Sequence, residues 1–218
     1  MALVLHGAGY SAYTRIARIV LEEKSVSHEF REIDFISEGF PAGLKHPFTK
    51  VPVLEEDGQR FIETLPICLY LDEQYPEPAL MPEGAAARAR VLQCILALDN
   101  YIWPDIRDLA TQRIFASFVG GWPDDDVTGR MEARLEKSLS AFAGLLDDDT
   151  WLIEDGVSLA DCHAAPMFAY LAETVEGQGL LASLPRLKAW WEAMQKRGSF
   201  AATAFSFEDY AFAQKDQD

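Results

Sequence analysis

Apolar residues run together from Ala2 to His6 and stop at Gly7-Ala8-Gly9, the pattern of a short buried strand closed by a glycine break. Ser11 follows as a candidate N-cap, and Tyr13 to Lys24 carries helical spacing, with Ile16, Ile19 and Val20 on one face. Ser27 to Asp34 reads as a second strand. Residues 36–47 read as irregular chain or a short helix ending at Pro47. The stretch Phe48-Thr49-Lys50-Val51-Pro52-Val53-Leu54 then puts a proline at the head of an apolar strand. Pro52 to Glu55 and Gln59 to Ile62 make a hairpin around Asp57-Gly58. The returning strand runs straight into Glu63-Thr64, where Thr64 is expected to cap a helix. Pro66 is tolerated there because first-turn amides have no intrahelical partner.

A proline-rich linker follows, Pro76-Glu77-Pro78 and then Pro82-Glu83-Gly84, and the strand signal disappears after it. Ala85 to Val119 is one long amphipathic stretch with a kink expected at Pro104. Gly120-Gly121-Trp122-Pro123 and the aspartates 124–126 break it. Val127 to Leu146, Ser158 to Leu171 and Leu187 to Arg197 read as further helices. Ser158-Leu159-Ala160-Asp161 is a capping box with Asp in the Glu position, expected simply to start a helix. The pattern predicts an α/β domain over residues 1–76, a linker over 77–84 and an all-helical domain over 85–218.

A length of 218 residues fits one large or two small domains, and 49% hydrophobic residues supply ample core. No apolar run reaches the ~20 residues needed to span a bilayer, and the first residues lack the basic and apolar regions of a secretory leader. The three cysteines, Cys68, Cys94 and Cys162, are odd in number and dispersed, which points to a reducing, cytoplasmic compartment rather than a disulfide framework. A net charge of −16 repels phosphate backbones and anionic membranes, so no nucleic acid or membrane partner is expected. His6, His28, His46 and His163 show no ligand spacing, so no metal is expected either. The hairpin places a backbone edge beside Val51 close to a helix start at Thr64, an arrangement suited to a ligand that is part peptide and part carboxylate.

Four motifs carry a family resemblance: Ser11-Ala12-Tyr13-Thr14-Arg15-Ile16-Ala17-Arg18, Lys50-Val51-Pro52-Val53-Leu54, Glu63-Thr64, and the box from Ser158 to Asp161. In this order the chain resembles the cytosolic glutathione S-transferase superfamily, in a serine-type, bacterial-like form, along essentially its whole length. The resemblance implies a thioredoxin-like N-terminal domain followed by a C-terminal helical bundle. It also implies glutathione as co-substrate and a homodimer.

It further implies roles for single residues. Ser11 would donate to the glutathione sulfur and favour the thiolate of a thiol whose free pKa is ~8.5. Tyr10 is a secondary candidate, since other branches use a tyrosine placed further back, where this chain has Gly7. A Ser11-x-x-Thr14 arrangement has no dithiol, which disfavours redox exchange. Pro52 resembles the family's cis-proline, leaving Val51 to pair with the tripeptide's cysteinyl backbone. Glu63 and Thr64 would hold the γ-glutamyl ammonium and carboxylate, and Lys50 would meet the glycine carboxylate or face solvent. His46 stands where the family often has Asn and reads as a solvated loop residue. Walls for an electrophilic second substrate, expected between the domains, would come from Tyr13, Ile36, Tyr101, Trp103, Arg107 and Thr111. The aromatic tail over residues 205–212 would cover that cleft or pack on the core. The resemblance extends to a glutathione-dependent isomerase or dehalogenase and to a non-catalytic binding or scaffold protein of the same fold.

Overall fold

A computed structural model describes residues 3–116, 124–153, 156–206 and 209. The first element, β1 (Val4–Gly7), is followed by α1 (Ala12–Glu23) and β2 (Glu29–Glu32), then by β3 (Val53–Glu56), β4 (Gln59–Ile62) and α2 (Thr64–Gln74). The sheet order is β2-β1-β3-β4. β1 is parallel to β2 and antiparallel to β3, and β3 is antiparallel to β4. A parallel pair needs a crossover, and α1 supplies it. Residues 36–47 form turns without a helix. Leu5, Ile16, Ile19, Val53, Leu54, Ile67 and Leu71 are buried and form the core of this unit.

The long stretch after the linker begins as α3 (Ala85–Ala97) and α4 (Trp103–Ala110), separated by a π-helical turn, Leu98–Ile102. Pro104 lies in the first turn of α4, so the expected break falls where its missing N–H costs least. A second π-helical turn spans Thr111–Phe115. Next come α5 (Asp125–Ala143), α6 (Leu159–Ala172), α7 (Val175–Ser183), α8 (Pro185–Met194) and α9 (Gly198–Ala202). α6 is buried on nearly every side, and α3, α4, α7 and α8 all pack on it.

α7 and α9 are not foreseen by the sequence pattern. Gly177 and Gly179 dilute the helical signal of α7, and the structure needs the first of them. A Cβ at Gly177 would lie 1.9 Å from the Leu171 carbonyl oxygen. Thr174 caps the helix there, its hydroxyl accepting from Gly177 N–H at 3.1 Å and donating to Leu171 C=O at 2.8 Å. α9 is too short for periodicity, and it belongs with the first unit rather than the helical one. Arg15 of α1 donates to the Phe200 carbonyl at 3.0 Å and stacks 4.2 Å above the Phe200 ring. The compact units are therefore Met1–Ala79 with Gly198–Asp218, and Leu80–Arg197. This differs from the 85–218 domain read from sequence, because a five-residue helix gives no signal of where it docks.

Two buried polar centres hold the units. Lys24, its side chain fully buried, spends all three ammonium donors: on Asp72 at 2.7 Å, on the Tyr75 carbonyl at 2.6 Å and on the Pro78 carbonyl at 2.7 Å. It ties the end of α1 to the end of α2 and to the departing chain. In the helical unit the capping box forms as expected but reaches further. Asp161 accepts from Ser158 N–H at 2.8 Å and Ser158 O–H at 2.7 Å, and also from Leu152 N–H at 2.9 Å and Trp190 Nε1–H at 2.8 Å. Burial pushes its carboxyl above the ordinary range, while these four donors pull the other way. Asp161→Ala strands four buried donors and is expected to cost about 3–5 kcal/mol, read as a lower urea midpoint with an unchanged slope. A midpoint within the scatter of the parent protein contradicts this role.

Candidate functional site

The antiparallel register fixes which residues meet. β1 pairs with β3 through His6↔Val53, so Gly7 at the end of β1 lies beside the chain entering β3, at Val51-Pro52. β3 pairs with β4 through Val53↔Ile62, so Glu63-Thr64 leaves β4 at that same end. The N-terminus of α1 and the N-terminus of α2 both open there. Each presents a partial positive charge, a local exception in a chain of net charge −16.

Ser11 is half-buried and sits at the N-cap of α1 in extended conformation. Its Oγ accepts from Thr14 N–H at 3.3 Å. Its own O–H has no acceptor among the described residues. The loop leading into it is pinned at several points. Ser11 N–H donates to Ala8 C=O at 2.9 Å, Ile33 N–H to Gly7 C=O at 2.8 Å, and Gly9 N–H to Glu32 Oε1 at 2.8 Å. Tyr10 is buried, and its hydroxyl donates to Asp34 Oδ1 at 3.3 Å while accepting from Ile36 N–H at 3.2 Å. Its phenol is therefore engaged in holding this loop. Sequence reasoning passed over Glu32 and Asp34, because carboxylates at the end of an exposed strand look like solvated charge.

The Val51–Pro52 peptide bond is cis. Val51 is half-buried, and its N–H and C=O have no partner among the described residues. Lys50 is exposed. His46, read as a solvated loop residue, is instead buried; its Nδ1 accepts from Phe48 N–H at 3.1 Å and its backbone carbonyl accepts from Thr49 N–H at 3.1 Å. The ring thus shapes the turn before Lys50.

Thr64 does not cap α2, as the sequence suggested. Glu63 holds the cap position, with φ +66°, and its carbonyl accepts from Ile67 N–H at 3.0 Å. A left-handed glutamate costs roughly 1–2 kcal/mol and marks a place where the fold dictates the conformation. The consequence is that Thr64 becomes the first helical residue, buried, with no partner for its hydroxyl among the described residues. The Glu63 carboxylate stays exposed beside the helix mouth and makes no capping bond.

The residues read as second-substrate walls divide between the two units. Tyr13 is half-buried and Ile36 is exposed, both in the first unit. In the helical unit, Trp103 is only 9% exposed and its ring lies 6.0 Å from that of Tyr170, so it belongs to the packing of α4 on α6. Arg107 is exposed and paired with Asp108 at 2.7 Å, and the Thr111 hydroxyl donates to the Arg107 carbonyl at 2.8 Å. Tyr101 is exposed and lines an apolar groove between α3 and α5 with Leu96 and Leu145. Asp99 accepts from His163 Nε2 at 2.9 Å. Of the tail over 205–212, residues 207, 208 and 210–212 lie outside the described residues. Among the described residues no group of His, Cys, Asp and Glu could hold a metal, and no helix is long and apolar enough to cross a membrane.

Residues 5–79 match the family model of the glutathione S-transferase N-terminal domain, and residues 107–197 that of the C-terminal domain. Glutathione S-transferase F10 of Arabidopsis thaliana is 27% identical over 205 residues, spanning 92% of this chain and 95% of that protein. Glutathione S-transferase omega-1 of Mus musculus is 30% identical over 179 residues, spanning 82% and 70%. Among solved structures, glutathione S-transferase I from maize in complex with an atrazine glutathione conjugate superposes with a TM-score of 0.84 at 25% identity, covering 93% of this chain and 96% of that one. With both family domains present in order, and the sheet topology in place, the chain belongs to the glutathione S-transferase superfamily.

Proposed function

We propose that this protein is a glutathione transferase that ionises the thiol of glutathione at Ser11 and directs it at an electrophilic carbon. One observation carries the reading: the Ser11 hydroxyl keeps its proton free to donate at the mouth of α1. A donor to sulfur and a helix N-terminus act in the same direction, and lowering the thiol pKa by one or two units is worth ~1.4 kcal/mol per unit. The unpartnered Val51 backbone takes the cysteinyl main chain as an added strand would. The Thr64 hydroxyl and first-turn amides of α2 take the γ-glutamyl carboxylate, the exposed Glu63 its ammonium, and Lys50 the glycine carboxylate. Glutathione is the co-substrate, as the glutathione conjugate bound to the maize relative supports.

Tyr10 is not needed at the sulfur, since its hydroxyl serves the loop through Asp34 and Ile36. For the electrophile, the first unit offers Tyr13 and Ile36 and the helical unit, taken by itself, offers Arg107 and Thr111, while Trp103 acts as core. Tyr101 is better placed on the α3–α5 groove, a cavity of about 710 Å³ where Leu96 and Leu145 are also exposed. That apolar face supports a homodimer, because a second copy would cover it. The cytoplasm suits a protein whose three cysteines are all buried thiols.

With saturating glutathione and an aryl halide, Ser11→Ala is expected to lower kcat/KM by about 10- to 100-fold. Tyr10→Phe is expected to change it less than about 3-fold. The reverse order of effects contradicts the assignment. Retention on immobilised glutathione without turnover of any electrophile points instead to the binding-protein reading. For assembly, the parent chain is expected to sediment as a dimer and Leu96→Glu as a monomer; a monomeric parent removes the dimer.

A further inference from the structure

Thr14 stands out in the first unit. It is 0% exposed, and its Oγ1 is buried with no hydrogen-bond partner among the described residues. Its backbone N–H, by contrast, is the donor to Ser11 Oγ. The side chain is wedged against the end of β1. A Cβ added to Gly7 would fall 2.3 Å from Thr14 Cγ2 and 2.5 Å from Thr14 Oγ1. Only a glycine at the end of that strand lets a β-branched residue sit there. A buried hydroxyl left unpaired costs about 1–3 kcal/mol, and valine would fill the same volume without that cost. A hydroxyl at such a place calls for a reason beyond packing.

The reason lies three residues earlier. A hydroxyl oxygen has two lone pairs and one proton. Ser11 Oγ gives one lone pair to Thr14 N–H, which leaves the second lone pair open and the proton free to swing. A donor on the second lone pair would leave the Ser11 proton a single direction. Thr14 is third in the helix that Ser11 caps, so its side chain rises from the same turn. Threonine in a helix divides between two χ1 wells, so its hydroxyl reaches a new acceptor by one rotation about Cα–Cβ.

Resting on the reading of Ser11 given above, we infer that Thr14 is a positioning residue of this site. Its hydroxyl turns to donate to Ser11 Oγ and thereby aims the Ser11 proton at the glutathione sulfur. Thr14 never touches the ligand; it acts through Ser11. The chain of donors runs Thr14 O–H to Ser11 Oγ, then Ser11 O–H to sulfur, and each hydrogen bond strengthens the next. No covalent bond changes at Thr14 or Ser11, and the thiol proton leaves to solvent.

The test separates the hydroxyl from the methyl. The ultraviolet absorbance of the thiolate of bound glutathione is followed against pH in the parent protein and in Ser11→Ala, Thr14→Val and Thr14→Ser, with thermal unfolding of each. The signal is clean, because burial raises the Cys68 thiol and pushes Cys94 up to about 11, and Cys162 is buried. Thr14→Val is expected to raise the bound thiol's pKa by about 0.5–1 unit, and to lower kcat but leave the KM for glutathione, with no loss of thermal stability. Thr14→Ser is expected to keep the parent pKa while losing thermal stability, since the methyl against Gly7 is gone. The opposite crossing, with Thr14→Val at the parent pKa while Ser11→Ala is raised, overturns the role of Thr14 and leaves Ser11 in place. A bound thiol unmoved in Ser11→Ala overturns both.

Discussion

The pairing of β3 with a neighbour on each side is the constraint on which this site depends. Because β3 runs antiparallel to both β1 and β4, the end of β1, the start of β3 and the end of β4 fall together. Two helices begin from those strand ends, so two partially positive N-termini and one open stretch of backbone lie at the same end of the sheet. A shift of one residue in either register would turn Val53 and Leu54 to the wrong faces and carry Val51 out of line. Both are fully buried, which penalises such a slip heavily. The binding geometry is thus secured by core burial rather than by the polar residues that would do the chemistry.

The polar residues buried away from this end act as struts. Lys24 closes the base of the first unit with three bonds, and Asp161 draws together the Leu152 backbone, the start of α6 and the Trp190 indole. Both lie in settings where an unpaired charge would be costly, so each is surrounded by as many partners as its chemistry allows. Ser11 contrasts with them. It holds a structural bond with one lone pair and keeps its proton uncommitted. Full satisfaction marks the struts, and incomplete satisfaction marks the residue assigned to a ligand.

Much of this was legible in the residues. The period-two hairpin around Asp57-Gly58, the Ser11 cap and the Ser158–Asp161 box are local signals, and local signals survive folding. The proline at the head of β3 was likewise in view. What escaped reading was set by distance along the chain. That α9 packs on α1 depends on Arg15 meeting Phe200, 185 residues away. That Asp161 also bonds the Trp190 indole depends on α8 folding back. That Glu63, rather than Thr64, takes the cap position of α2 depends on a positive φ that no glutamate announces. Trp103 and Tyr101 lie two residues apart on one helical stretch and read alike in sequence. One is core and the other is exposed, because residues two apart on a helix point nearly opposite ways and the packing of α4 on α6 takes Trp103 inward.

A crystal structure of the protein with glutathione addresses the central claim most directly. The account predicts the sulfur within hydrogen-bonding distance of Ser11 Oγ, the cysteinyl main chain paired with Val51, and the γ-glutamyl carboxylate at the first turn of α2. A tripeptide bound elsewhere, or one lying on Val51 with its sulfur turned away from Ser11, would contradict it.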